Sequence, residues 1–176
     1  MLYGKDERAQ LTLGTRPVKS GKAYRVNMGS GNEPVTKELA DELAHALERF
    51  AVEAGFTARA PAEIEFGRGV VGHHQTGRAT DIYAVGGKSL DEWKKRWDER
   101  AHSAASEPER RALARRESAS NLGWRLYKAL QLYGRWAQPY GYPIQLFGPW
   151  TREEGPWKHI SDRLLAAHWD HIHVAK

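Results

Sequence analysis

Residues 73–85 read HHQTGRATDIYAV. The first half is polar and flexible, while TDIYAV has the branched and aromatic residues of a strand. The segment reads as a loop that delivers two imidazoles, His73 and His74, to the start of a strand carrying Asp81. Gly77 lies between them, free to take a backbone conformation that other residues resist. A second histidine-rich stretch, HWDHIHVA at 168–175, reads as a final strand, and strand periodicity would put His171 and His173 on one face.

Outward from this loop the chain alternates between short strands and longer helices. AEIEFGRGVV sets Glu63 and Glu65 against Ile64 and Phe66, the pattern of a half-buried strand. Residues 36–54 predict a helix with Thr36 as its N-cap, Leu39, Leu43, Leu47, Phe50 and Ala54 on one face, and Gly55 at its end. Before it, AYRVNM is the candidate strand and GSGN a turn. After the loop, Ser89 with Glu92 and Ser106 with Glu109 fit capping boxes that open helices. The first of these helices would run to about His102. The second would run through the tryptophan-rich stretch beyond 120, with a break near Gly123. Its RRALARR half reads as a solvated face, and Leu122, Leu126, Leu130 and Tyr133 as a core stripe. PYGYP then turns the chain into a strand, IQLF, followed by a loop with two Gly-Pro-Trp copies carrying Trp150 and Trp157. The expected fold is one α+β domain over residues 1–176, a small, largely antiparallel sheet with helices packed on it.

Composition narrows the chemistry. With no cysteine among 176 residues, disulfides, thiolate metal sites and cysteine nucleophiles are all excluded. No apolar run is long enough to span a membrane, and MLYGKDERAQ shows no signal peptide. The net charge of +5 favours an anionic partner without choosing one. Five of the eight histidines fall in the two windows, at 73, 74, 168, 171 and 173, the clustering that metal ligation needs. One strand histidine is usually an ordinary hydrogen-bonded residue. Two histidines and a carboxylate drawn from both windows form a set typical of catalytic zinc.

The pattern His74-x-x-Gly77-x-Ala79-x-Asp81 resembles the first zinc motif of the D-Ala-D-Ala metallopeptidase and L-alanyl-D-glutamate endopeptidase family. His171-x-His173 resembles that family's closing motif. Gly72 stands where the family usually has serine. The resemblance covers about 68–85 and 168–174, and implies a hedgehog/D-Ala-D-Ala type fold with Zn2+ held by His74, Asp81 and His173. It also implies a general base at Asp170, three positions before the last ligand, with His171 second. The closing stretch is further similar to that of penicillin-insensitive murein endopeptidases, whose histidines match His168 and His171. Arg68 follows its strand much as a family arginine does, and would bind a substrate carboxylate or the oxyanion. Arg78 is a weaker candidate for that task, and His73 a neighbour of the site.

The implied activity is zinc-assisted hydrolysis of a peptidoglycan stem or cross-link peptide, by an endopeptidase or a carboxypeptidase. Trp150 and Trp157 would form a wall of the cleft. The implied place of action is the cell wall, in the periplasm or outside the cell. Nucleic acid is not the expected partner. The rival class is a non-catalytic, basic cell-wall- or nucleic-acid-binding module with a structural metal site. VGGKS at 85–89 fails as a phosphate loop because Ile82 occupies the position of its first glycine.

Overall fold

Leu39, Leu43, Leu47 and Phe50 fall on one stripe of helix α1 (Lys37–Ala54), and all four are buried. A helix with one apolar stripe must bury it, and α1 does so against strand β2 and helix α4. The computed structural model describes residues 15–17, 23–27, 35, 37–54, 62–67, 71–103, 105–134, 143–153 and 155–176. Thr36, Gly55 and the GSGN turn lie outside them, as does PYGYP except for Pro143.

The strands are β1 (Thr15–Pro17), β2 (Ala23–Asn27), β3 (Ala62–Gly67), β4 (Ala79–Val85), β5 (Lys88–Ser89), β6 (Gln145–Phe147) and β7 (Ile172–Ala175). They form one sheet in the order β1-β2-β3-β4-β7-β6, with β5 paired to β4. Every pairing is antiparallel except β2 with β3. That parallel pair is joined through α1, because parallel neighbours need a crossover connection. The fold is α+β with a largely antiparallel sheet. The alternation read in AEIEFG holds: Ile64 and Phe66 are buried and Glu65 is exposed. Gly86 and Gly87 make the turn between β4 and β5, so VGGKS forms a hairpin.

Helices α2 (Leu90–His102), α3 (Glu107–Ser120) and α4 (Leu122–Tyr133) follow. The Ser89–Glu92 capping box is complete. At Ser106 only half of the expected box forms: Ser106 caps Glu109, whose own side chain accepts from Ala105 instead. The long helix breaks at Asn121, two residues before the expected Gly123. Asn121 Oδ1 accepts from Trp124 N at 3.0 Å and starts α4, while its Nδ2 donates to Trp93 O at 2.8 Å. Such a side chain satisfies orphan helix-end groups that a continuous helix would not have. Leu126 and Leu130 are fully buried, and Leu122 and Tyr133 pack against the core.

Much of the tryptophan goes into this core. Trp93, Trp97, Trp124 and Trp150 are buried, with Trp97 and Trp124 in ring contact at 4.8 Å. Trp150 is completely inaccessible, so it cannot form a cleft wall as its loop position suggested. Its loop turns inward because Thr151 Oγ1 and N both bond to Gly148 O. Trp157 packs on the core and meets Phe147 edge-on. Among the described residues no helix is long and apolar enough to cross a membrane.

HWDHIHVA is not strand throughout: β7 begins at Ile172, and a short helix α5 (Asp162–Ala167) precedes it. Ser161 caps α5, and His168 ends it, its backbone N–H bonding to Leu165 O. Trp169, Asp170 and His171 form the turn between helix and strand.

Candidate metal centre

The register of β4 against β7 sets Asp81 directly opposite His173. Residues so paired on an antiparallel sheet have neighbouring side chains. His74 comes from the loop before β4, where residues Gly72–Thr76 form a 3-10 turn. This turn is bracketed by Gly72 at φ +64° and Gly77 at φ +69°. Both lie in the left-handed region that favours glycine. Gly77 N–H closes the turn on the carbonyls of His73 and His74, so it lets the loop double back and bring His74 over the sheet. Gly72, where the resembling family has serine, is itself required by its backbone.

Three donor atoms meet there. His173 Nδ1 lies 2.9 Å from Asp81 Oδ1, His74 Nε2 lies 3.2 Å from His173 Nδ1, and His74 Nε2 lies 3.4 Å from Asp81 Oδ1. Ligands at zinc distances in a tetrahedron stand roughly 3.3 Å apart. The triangle fits that edge, and the donor set, two neutral imidazoles and a carboxylate, suits a divalent metal. Asp81 and His173 are buried and His74 is half-buried. Burial pushes the Asp81 carboxyl up. The hydrogen bonds from His173 and His74 outweigh it, as do the imidazoles of His171 and His74 whenever they are protonated, and together they hold the group well below the usual carboxylate range. The carboxylate is therefore ionised, as a ligand must be.

His171 stands beside this triangle. Its Nδ1 donates to Asp170 Oδ1 at 2.7 Å, and its Nε2 faces Asp81 Oδ1 at 3.7 Å, beyond hydrogen-bonding distance. The Asp170 side chain is 66 % exposed and reaches the cluster only through His171. Because β7 starts after it, Asp170 is not subject to strand alternation. Tyr83, two residues along β4 from Asp81, lays its ring against His171 at 5.0 Å.

His168 meets the rings of His171 and His173 at 5.1 and 5.2 Å. Its Nδ1 must donate to Leu164 O, 2.8 Å away, because a carbonyl only accepts. Burial pushes its imidazole below the usual histidine range, and the neighbouring His173 and His171 push the same way. In its neutral form His168 therefore carries its lone pair on Nε2.

His74, Asp81, His168, His171 and His173 line a cavity of ≈ 510 Å³, with Val71, Phe147, Leu164 and Ala167 as its apolar lining. His73 lines it as well, a neighbour whose carbonyl accepts from Arg78 N and Thr76 Oγ1. Arg78 points elsewhere, its Nε donating to Lys176 O at 2.8 Å and pinning the end of β7. Arg68 lies outside the described residues. Gln145, which sequence reasoning passed over, places Oε1 at 3.1 Å from His173 Nε2.

No family model, curated protein or solved structure matches the chain. The site therefore rests on its own residues.

Proposed function

We propose that this chain is a zinc-dependent peptidase that hydrolyses peptidoglycan stem or cross-link peptides. The observation that carries the reading is the convergence of His74, Asp81 and His173, the two histidines 99 residues apart, with donor atoms spaced 2.9 to 3.4 Å. His74, Asp81 and His173 would hold the zinc, which would supply Lewis acidity to acidify a water and polarise an amide carbonyl.

His171 is the general base, with Asp170 as its partner, an order reversed from the one the motif implies. Asp170 keeps the proton on Nδ1, which leaves the Nε2 lone pair facing the ligand cluster. His171 Nε2 takes the proton of the attacking water as the water oxygen bonds to the scissile carbonyl carbon. It returns that proton to the amine as the C–N bond breaks. His168 cannot donate from Nε2 in its neutral form and instead accepts from a substrate N–H. The apolar side of the cleft suits a peptide with short side chains, and the positive net charge suits an anionic wall.

The test is digestion of purified peptidoglycan by the zinc-loaded protein, with products read by mass spectrometry. New free amines within the peptide are expected from an endopeptidase, and a stem shortened by one residue from a carboxypeptidase. Neither product, from a folded protein carrying zinc, contradicts the reading.

A further inference from the structure

We infer that Gln145 is a positioning residue for metal binding, which fixes His173 in the tautomer that leaves Nδ1 free to ligate. The inference deepens the metal-site reading above and rests on it. It begins with sheet register. β6 pairs with β7 so that Phe147 lies opposite His173 and Gln145 opposite Ala175. Alternation puts Gln145, Phe147 and His173 on one face, with Gln145 diagonal to His173. Diagonal neighbours are roughly 7 Å apart, within reach of a long side chain. Glutamine spans the gap, its Oε1 3.1 Å from His173 Nε2. Asparagine, one methylene shorter, falls short.

The ring is held on both edges and one face. Nδ1 points at Asp81 and His74, at 2.9 and 3.2 Å. The Phe147 ring lies almost parallel to the imidazole, at 14° and 6.1 Å. A neutral imidazole has one N–H and one lone pair. In the metal-free protein Nδ1–H donates to Asp81; with Nδ1 as the metal ligand it is bare, so the proton moves to Nε2 and needs an acceptor. The amide oxygen of Gln145 is that acceptor, which also fixes the orientation of the amide. Metal-ligating histidines commonly donate their second N–H in this way, and losing the acceptor weakens metal binding by roughly 10–100-fold. Neither His74 nor Asp81 can do this for His173, since both are turned to its other edge. Gln145 also lines the cleft, so a role in holding substrate is the competing account.

The experiment measures zinc dissociation constants by chelator competition on the full chain and its Gln145→Glu, Gln145→Asn and Gln145→Met variants. Thermal unfolding of the metal-free forms checks that each is folded. Gln145→Glu keeps an acceptor of the same length and is expected to bind zinc at least as tightly as wild type. Gln145→Asn and Gln145→Met are expected to bind about 10–100-fold more weakly. In the zinc-loaded protein, a slowly exchanging His173 Nε2–H resonance is expected in wild type and Gln145→Glu and absent in Gln145→Met. Equal zinc affinity across the series, with only KM rising, overturns the inference and makes Gln145 a substrate contact. A wild type that takes up no zinc overturns both this inference and the metal site itself.

Discussion

Asp81 and Glu117 are both buried carboxylates, 5 % and 1 % exposed, in very different company. Glu117, on α3, forms ion pairs with Arg96 Nε at 2.7 Å and Arg100 Nη1 at 2.8 Å, both from α2, and accepts from Asn121 Nδ2 at 3.0 Å. Its neutralising partners are permanent cations, so the cluster does one thing: it ties α2, α3 and the start of α4 together. Among the described residues, the side chains that meet Asp81 are instead imidazoles, those of His173, His74 and His171. Imidazoles can release a proton and ligate a metal, which a guanidinium cannot. A buried acid answered by arginine marks structure, and one answered by histidines marks a site able to change its occupant.

Substitutions sharpen this contrast. The largest effect is expected at the proposed metal ligands: Asp81→Asn should abolish both zinc retention and peptide hydrolysis while the protein stays folded by circular dichroism. Next comes His171→Ala, which should keep its zinc and lose about 10²–10⁴-fold in kcat, the usual worth of a general base. Full activity in that variant would remove His171 from the mechanism.

Glu117→Gln should do the reverse of Asp81→Asn. Losing one partner of a fully buried ion pair costs roughly 3–5 kcal/mol. Arg96 and Arg100 are 34 % and 48 % exposed and can be rehydrated, so a loss of about 1–3 kcal/mol is expected by denaturant unfolding. Zinc affinity should not move. If it did, the two carboxylates would not be separable.

The smallest effect belongs to a third carboxylate, Glu92, which is fully exposed. The backbone N–H of Ser89, at 2.9 Å, and then its hydroxyl, at 3.1 Å, hold its carboxyl below the ordinary range. Its folded pKa is lower than its unfolded one. The contribution is therefore complete above about pH 4.3, the ordinary glutamate value, and is lost as pH falls through the folded value. Wild type should exceed Glu92→Gln slightly in stability at pH 6, and the gap should narrow steadily as the pH is lowered below the ordinary glutamate value.

The contrast also explains what the sequence makes legible. His74, Asp81 and His173 stand out because their residue types are rare and their spacing is set by one loop and one strand pair. The stripe in α1 and the Ser89 cap are local patterns, read without tertiary information. Helix α5 is too short to show a period of 3.6, and so its residues read as loop. Without it, the sequence leaves open whether the strand begins before or after Asp170, and so whether Asp170 stands behind His171. Gln145 carries no chemical signature: its role comes from the β6–β7 register, which no single segment encodes. The Trp150 loop misleads for the same reason, since only the packed fold shows that it folds inward beneath α4.

The most direct test of the central claim is metal content, measured by elemental analysis on purified wild type and Asp81→Asn after incubation with zinc and desalting. The predicted result is about one zinc per wild-type chain, the stoichiometry of a single three-ligand site, and none in the variant. A folded wild type that retains no zinc would contradict the account, and would leave Asp81 and its histidines, like Glu117 and its arginines, as a buried ionic cluster that only holds the fold together.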